Sequence, residues 1–341
     1  MPRPIFVGGA GRSGTTLLNR LIGRHRDIYS FPGETRFIVD PDGLMNLIDA
    51  LSTRYSATQA REALYKFERL VKLYLVTSDR APYFGYDLTE SIDREFLTER
   101  TNRFILDLTD GEFLGFDAPQ EPEKGLAHRL FANLSAIGRR LRSKPRITPT
   151  LSPPRPTLKV VRFQANRSRL ASEAANYVDD LFTNAANSHG KVTWSEKTPS
   201  NFLHFDFLHE VFGEAALVHI KRDPRGVVSS MRAKPWSPSE LVTACHYLRS
   251  VYERWFFVKQ HLDAESIPYL EITFEELTES PSSVLSSVYD FAHVEGGVGN
   301  ITLADILPGK ANNWSKSTSR EDRRVINEML GEHIKGLGYP L

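Results

Sequence analysis

The sequence predicts an α/β fold, a parallel β-sheet flanked by helices, and three observations predict it. Ile5, Phe6 and Val7 are apolar without alternation, as a strand buried on both faces must be, and they run into a glycine-rich turn and a helix start. The same strand-then-helix pattern returns over residues 217–234, where an apolar strand gives way to an Asp-Pro helix opening. Between about 40 and 190 the alternation lapses, and apolar residues recur mainly at helical spacing. The expectation is therefore one domain over 1–341, with a largely helical insertion at 40–190.

The first turn carries the most information. In PIFVGGAGRSGTTLL, residues 4–18, the glycines at 8, 9, 11 and 14 let the backbone turn tightly, and Thr15 and Thr16 open a helix. Amides pointing into such a turn, together with the positive end of the helix dipole, suit an anion with several oxygens. The predicted sheet is thus P-loop NTPase-like. Against the pattern G-x-x-x-x-G-K-[ST], Gly9–Thr16 keeps both glycines and the final Thr, but Thr15 stands in place of the lysine and the positive charge sits at Arg12.

The remaining elements follow in order. Leu17, Leu18, Leu21 and Ile22 form the sheet-facing stripe of the first helix, at whose end His25 reads as a complement to the helix dipole. A short strand at 28–30 is ended by Pro32 and Gly33, and Glu34 and Arg36 follow at once. In the insertion, apolar faces predict helices over 58–75 and 94–108, whereas 139–162, rich in Arg, Lys and Pro, predicts a loop or linker. That basic stretch suits either an anionic acceptor or a plain solvated connection.

Strands are next expected near 192–195, 217–221 and 268–274, joining those near 4–9 and 28–30. Thr198 is placed to cap a helix with Pro199 at its first position, and an aromatic-rich helix spans 202–212. Arg222 falls at the carboxyl end of its strand, on the edge where ligands bind in open α/β sheets. Helices are expected over 239–261 and 281–292, and from about Arg320 through Lys335 to Gly336, with a loop at 296–310.

Composition narrows the functions. A chain of 341 residues, 40% hydrophobic, can bury a large core, and a net charge of +1 gives no global attraction to nucleic acid. One cysteine, Cys245, excludes an internal disulfide, and with no H-E-x-x-H pattern His204, His209 and His246 read as ordinary helix residues; no metal is expected. No signal segment precedes the first strand and no apolar run approaches the ~20 residues that span a bilayer, so a cytoplasmic protein is expected.

The segment GRSGTTLL resembles the 5′-phosphosulfate loop of sulfotransferases, and AALVHIKRDPRGVVSSM, with Ser230 eight residues after Arg222, resembles their 3′-phosphate site. The resemblance covers 3–37 and 191–234 well and the rest by general layout. It implies transfer of a sulfuryl group from 3′-phosphoadenosine 5′-phosphosulfate to an acceptor hydroxyl, leaving 3′,5′-adenosine bisphosphate. It implies donor contacts from Gly11, Arg12, Ser13, Gly14, Thr15, Thr16, Arg222 and Ser230, with Lys316 in the later NNWSKSTSR segment facing the 3′-phosphate.

The GETR segment is similar to that of tyrosylprotein sulfotransferases, which implies that Glu34 is the general base. EKTP is similar to the glycan and bacterial enzymes, which implies that Lys197 meets the sulfate near its bridging oxygen. Arg12 then completes the catalytic set. The alternatives are surface pairing of Glu34 with Arg36, pairing of Lys197 with Glu196 or Glu210, and a histidine base such as His128. A glycan or glycolipid acceptor is expected from the long insertion and the acidic base, with peptide tyrosine or a small phenol as the alternative. Other classes, an ATP-dependent kinase with Mg²⁺ or a non-catalytic nucleotide-binding module, are opposed by the missing loop lysine and by the presence of both Glu34 and Lys197.

Overall fold

The structure, a computed structural model, describes residues 2–75, 88–115, 157–298 and 314–341, together with all but a few of their side chains. In chain order the amino-terminal part comprises β1 (Ile5–Gly8), α1 (Thr15–Ile22), β2 (Ile28–Ser30), α2 (Leu44–Leu51), α3 (Ala57–Leu75) and α4 (Arg94–Asp107). Then come β3 (Thr109–Leu114), β4 (Thr157–Val161), α5 (Arg167–Ser188) and β5 (Thr193–Lys197). A 3₁₀ turn over Pro199–His204 leads into α6 (Phe205–Phe212), followed by β6 (Ala216–Lys221), α7 (Pro224–Met231), α8 (Leu241–Ala264) and β7 (Leu270–Thr273). The last described elements are α9 (Phe274–Glu279), α10 (Pro281–Phe291), α11 (Trp314–Ser317) and α12 (Arg320–Gly336).

The central sheet is parallel throughout, in the order β2-β5-β1-β6-β7, with helices on both faces. Its middle strand explains why the sequence there is apolar without a break. Phe6 points to one face, where it meets Trp194 edge-on at 5.3 Å between ring centroids, while Ile5 and Val7 join α1 and α10 side chains on the other. Since each fully buried residue of this size contributes about 1.5–3 kcal/mol, a polar side chain on either face would open a gap in a packed layer. Parallel pairing also brings the carboxyl ends of β1, β2, β5 and β6 to one edge, the edge that carries Arg12, Glu34, Lys197 and Arg222.

The five sheet strands fall where the sequence predicts, within a few residues. The insertion region is less purely helical than expected. Residues 109–114 and 157–161 pair antiparallel as a two-stranded sheet with a register shift between Thr109 and Gly111, and long-range pairing of this kind leaves no helical periodicity to read. His128 and residues 139–156 of the basic, proline-rich stretch lie outside the described residues.

Two caps differ from expectation. Thr198 makes no side-chain cap, because its hydroxyl is committed to Glu196 instead. His25 is buried, with Nδ1 accepting from the Asp27 amide, and its pKa is lowered mainly by that burial. Asp223 does cap α7 through the Arg225 amide, and Thr273 opens α9 with a reciprocal capping box to Glu276.

Candidate active site

The glycine-rich turn closes on itself and on its neighbours. Gly9 donates to the Pro199 carbonyl at 3.0 Å, and a Cβ at this position would stand 2.3 Å from the Ile220 carbonyl oxygen, so only glycine fits. Gly14, at φ 108°, caps α1 without a side chain, which leaves the opening amides of the helix available to an anion. Ser13 is fully buried, yet its Oγ has no hydrogen-bond partner among the described residues, a polar atom suited to a ligand oxygen.

Arg12 holds the turn to the second expected anion site. At φ 76° it sits in the left-handed region, its Nε donates to Ser230 Oγ at 3.1 Å, and its carbonyl accepts from Arg222 Nη1 at 3.2 Å. The Arg222 guanidinium lies over the Phe274 ring, 4.7 Å from its centroid. Burial lowers the Arg222 pKa; Glu275 opposes this, and the neighbouring Arg12 charge adds to it. Two guanidinium groups in so small a volume favour an anion between them.

These groups line one pocket of about 430 Å³, which Arg12, Thr15, Thr16, Arg222 and Ser230 share with the aromatic rings of Phe274 and Trp314. Lys197 joins it from the side: buried at the end of β5, its Nζ donates to Thr16 Oγ1 at 3.1 Å. The same Nζ stands 3.9 Å from Glu34 Oε1. Glu34 Oε2 is 3.7 Å from Arg36 Nε, and Arg36 in turn pairs with Asp40 at 2.7 Å. The polar groups therefore form two bonded runs, Ser230 with Arg12 and Thr16 with Lys197 and Glu34, and Arg12 and Thr16 face the same pocket.

Lys197 pairs with neither acid weighed for it. Glu210 is held by Arg167 at 2.6 Å, and Glu196 points to the other side of its strand. Gly11 stands beside the loop's Arg12, where a Cβ would come 3.2 Å from the Trp236 ring. The Lys316 backbone belongs to α11, but its side chain lies outside the described part, as does His128. Cys245 is buried in the core, and its thiol pKa is pushed up to about 11 by that burial.

Sequence reasoning missed the aromatic wall of the pocket. Trp314 lies two residues before Lys316 and covers Arg225 with its ring at 4.7 Å, and Phe274 stands where a strand end meets a helix start. Gly226 was a usable signal: a Cβ there would approach Trp314 Cδ1 to 2.9 Å and Arg222 Nε to 3.1 Å, so a small residue on α7 marks a crowded site.

Comparison with known structures finds bacterial sulfotransferases. The chain is 16% identical to the sulfotransferase domain of the Synechococcus PCC 7002 olefin synthase, over 97% of this chain and 95% of that one, at a TM-score of 0.46. Sulfotransferase STF9 from Mycobacterium avium is 17% identical over 100% of this chain and 78% of that one, at a TM-score of 0.41. Sulfotransferase STF1 from Mycobacterium tuberculosis H37Rv is 16% identical over 97% and 77%, at a TM-score of 0.40. Among curated proteins none matches. The model of the sulfotransferase family matches residues 4–296, most of the length and all of the loop, Glu34, Lys197, Arg222 and Ser230, and the chain belongs to that family.

Proposed function

We propose that the protein moves a sulfuryl group from 3′-phosphoadenosine 5′-phosphosulfate to an acceptor hydroxyl by in-line displacement, with Glu34 as the general base. The observation that carries this reading is a path of polar groups in two bonded runs, Ser230 and Arg222 with Arg12, then Thr16 with Lys197 and Glu34, that meet at one pocket. One end of the path offers donors and positive charge for a 3′-phosphate, the middle offers a cradle for the 5′ end, and the far end offers a carboxylate.

Each residue has a distinct task. Arg222, Ser230 and the side chain of Lys316 hold the 3′-phosphate, while Gly11, Ser13, Gly14, Thr15 and Thr16 present amides and hydroxyls to the 5′ side. Arg12 meets charge at both. The bound donor supplies the activated sulfur. Lys197 stabilises the negative charge that grows on the departing phosphate oxygen, and Glu34 takes the acceptor proton as the hydroxyl attacks. Arg36, paired with Asp40, places a positive charge 3.7 Å from the Glu34 carboxylate.

A glycan or glycolipid hydroxyl is the favoured acceptor, on the length of the insertion and on the use of an acid as base. Peptide tyrosine is the second reading, favoured by the GETR segment, Gly33–Arg36. The insertion shapes that acceptor site within a single domain over 1–341. Among the described residues no helix is long and apolar enough to cross a membrane.

The test has two arms. Adenosine 3′,5′-bisphosphate should raise the melting temperature well above the shift given by AMP, because a ligand that binds only the folded state stabilises it by mass action. Equal shifts would remove the 3′-phosphate assignment, and a shift confined to ATP with Mg²⁺ would favour a kinase. With labelled donor and an acceptor pool, Glu34→Gln should spare bisphosphate affinity while turnover falls by ~10²-fold or more. Near-normal turnover in Glu34→Gln, with loss of turnover in His128→Ala, would transfer the base to the histidine.

A further inference from the structure

Glu196 stands beside Lys197 in β5 and is 1% exposed, yet it takes no part in the pocket. Its carboxylate is saturated by donors from two segments. Oε1 accepts from Thr198 Oγ1 at 2.6 Å, from Thr35 Oγ1 at 2.9 Å and from the Thr35 amide at 3.4 Å. Oε2 accepts from Asn201 Nδ2 at 2.7 Å, and the same amide nitrogen lies 3.2 Å from the Val7 carbonyl, just ahead of the glycine-rich turn. Thr198 Oγ1 also accepts from the Arg36 amide at 3.2 Å.

These bonds clamp the turn that carries Glu34. Thr35 and Arg36 follow it directly, Arg36 is held at φ 60°, and both main-chain amides are bound by the Glu196–Thr198 pair. A left-handed non-glycine residue persists only where its surroundings fix it. Burial raises the Glu196 pKa, and the bonds from Thr198, Asn201 and Thr35 oppose that shift. A hydrophobic side chain at 196 would fill the space but leave the Thr35 and Thr198 hydroxyls without this acceptor and Asn201 with only the Val7 carbonyl.

We propose that Glu196 is a positioning residue, whose buried carboxylate, through Thr35 and Thr198, fixes the 34–36 turn so that the Glu34 carboxylate stands beside Lys197 and the phosphate-binding loop. The inference rests on the reading of Glu34 as the base. It assigns Glu196 no contact with donor or acceptor.

The test uses the full chain and three variants: Glu34→Gln, Glu196→Gln and Thr35→Val. Glu196→Gln keeps an acceptor for the two threonines but turns a donor toward Asn201. Thr35→Val keeps volume and the main-chain amide and removes one hydroxyl donor, so it reports on the clamp even if the first variant folds poorly. The readouts are amide exchange at Thr35 and Arg36, calorimetric affinity for adenosine 3′,5′-bisphosphate, and release of labelled sulfate from the donor into water, which stands in for the acceptor hydroxyl.

Both clamp variants should speed exchange at those two amides and slow sulfate release by ~10-fold or more, since a small misplacement of a reacting group is enough. Bisphosphate affinity should stay within about threefold. Combined with Glu34→Gln, neither should slow release further, because groups acting through one another are not additive. If Glu34→Gln is slow while the clamp variants run at full rate or add to it, the positioning role is overturned and the base stands. If Glu34→Gln itself releases sulfate at the normal rate, the base reading fails and takes the positioning role with it.

Discussion

The turns after β1 and β2 each hold an arginine in the left-handed region, Arg12 at φ 76° and Arg36 at φ 60°, yet they are secured in different ways. The turn after β1 is fixed chiefly through main chain, its own and that of Pro199, with Arg222 on the Arg12 carbonyl. Its glycines fit where a Cβ would strike the Ile220 carbonyl or the Phe274 ring, and the Ser13 amide closes onto the Ala10 carbonyl at 2.9 Å. The turn after β2 takes its shape from elsewhere, since its amides end on Glu196 and Thr198, over 160 residues later in the chain. An anion cradle needs fixed amides, which a turn held through main chain provides; on the proposed reading the second turn must also admit an acceptor, and its side-chain ties leave its outer face to Glu34 and Arg36.

The contrast can be broken most severely at Gly9. In Gly9→Ala the new methyl overlaps main chain, which cannot swing aside, so a loss of about 3 kcal/mol is expected as a lower urea midpoint, with weakened bisphosphate binding. An unchanged midpoint would mean that the turn is not rigid. Next in size is Arg12→Ala. Losing a charged contact made in both ground and transition states should weaken bisphosphate affinity by roughly 10- to 100-fold and lower turnover with it. Calorimetry showing wild-type affinity would take Arg12 out of the cradle.

The smallest effect is expected at Arg36→Gly. Relief of the left-handed strain, about 1 kcal/mol, is set against the half-exposed pair with Asp40, which is worth about 0–1 kcal/mol. Its melting temperature should therefore move little and its bisphosphate affinity not at all. A shift as large as that of Gly9→Ala would erase the distinction between the two turns.

The same distinction explains what could be read from the sequence. The loop was legible because glycines at 8, 9, 11 and 14 are demanded locally, and the strands because a sheet covered on both faces needs unbroken apolar runs. Arg222 and Ser230 were legible because a strand end and the helix after it fix their separation. Glu196 was visible only as a neighbour of Lys197, because its partner Thr35, 161 residues away, meets it through tertiary folding alone. Trp314 and Phe274 come to the pocket from separate carboxyl-terminal segments, and no local pattern announces an aromatic wall. The β3–β4 pair hid for a related reason: the register that makes it a sheet lies between strands about forty residues apart.

The bond from Arg12 to Ser230 bears on how such a protein could change donors. On the proposed reading, one side chain links the loop meant for the 5′ end to the helix meant for the 3′-phosphate, so neither site can be retuned alone. A substitution at 230 that rejects the 3′-phosphate also frees Arg12 to swing, and one at 12 leaves Ser230 without that donor. Acceptance of a plain nucleoside triphosphate would therefore require paired changes at 12 and 230, with each single change passing through a weaker binder. On the same reading, the turn that faces the acceptor is tied to Glu196 and Thr198 instead. Acceptor choice could then drift one residue at a time while the donor stays the same.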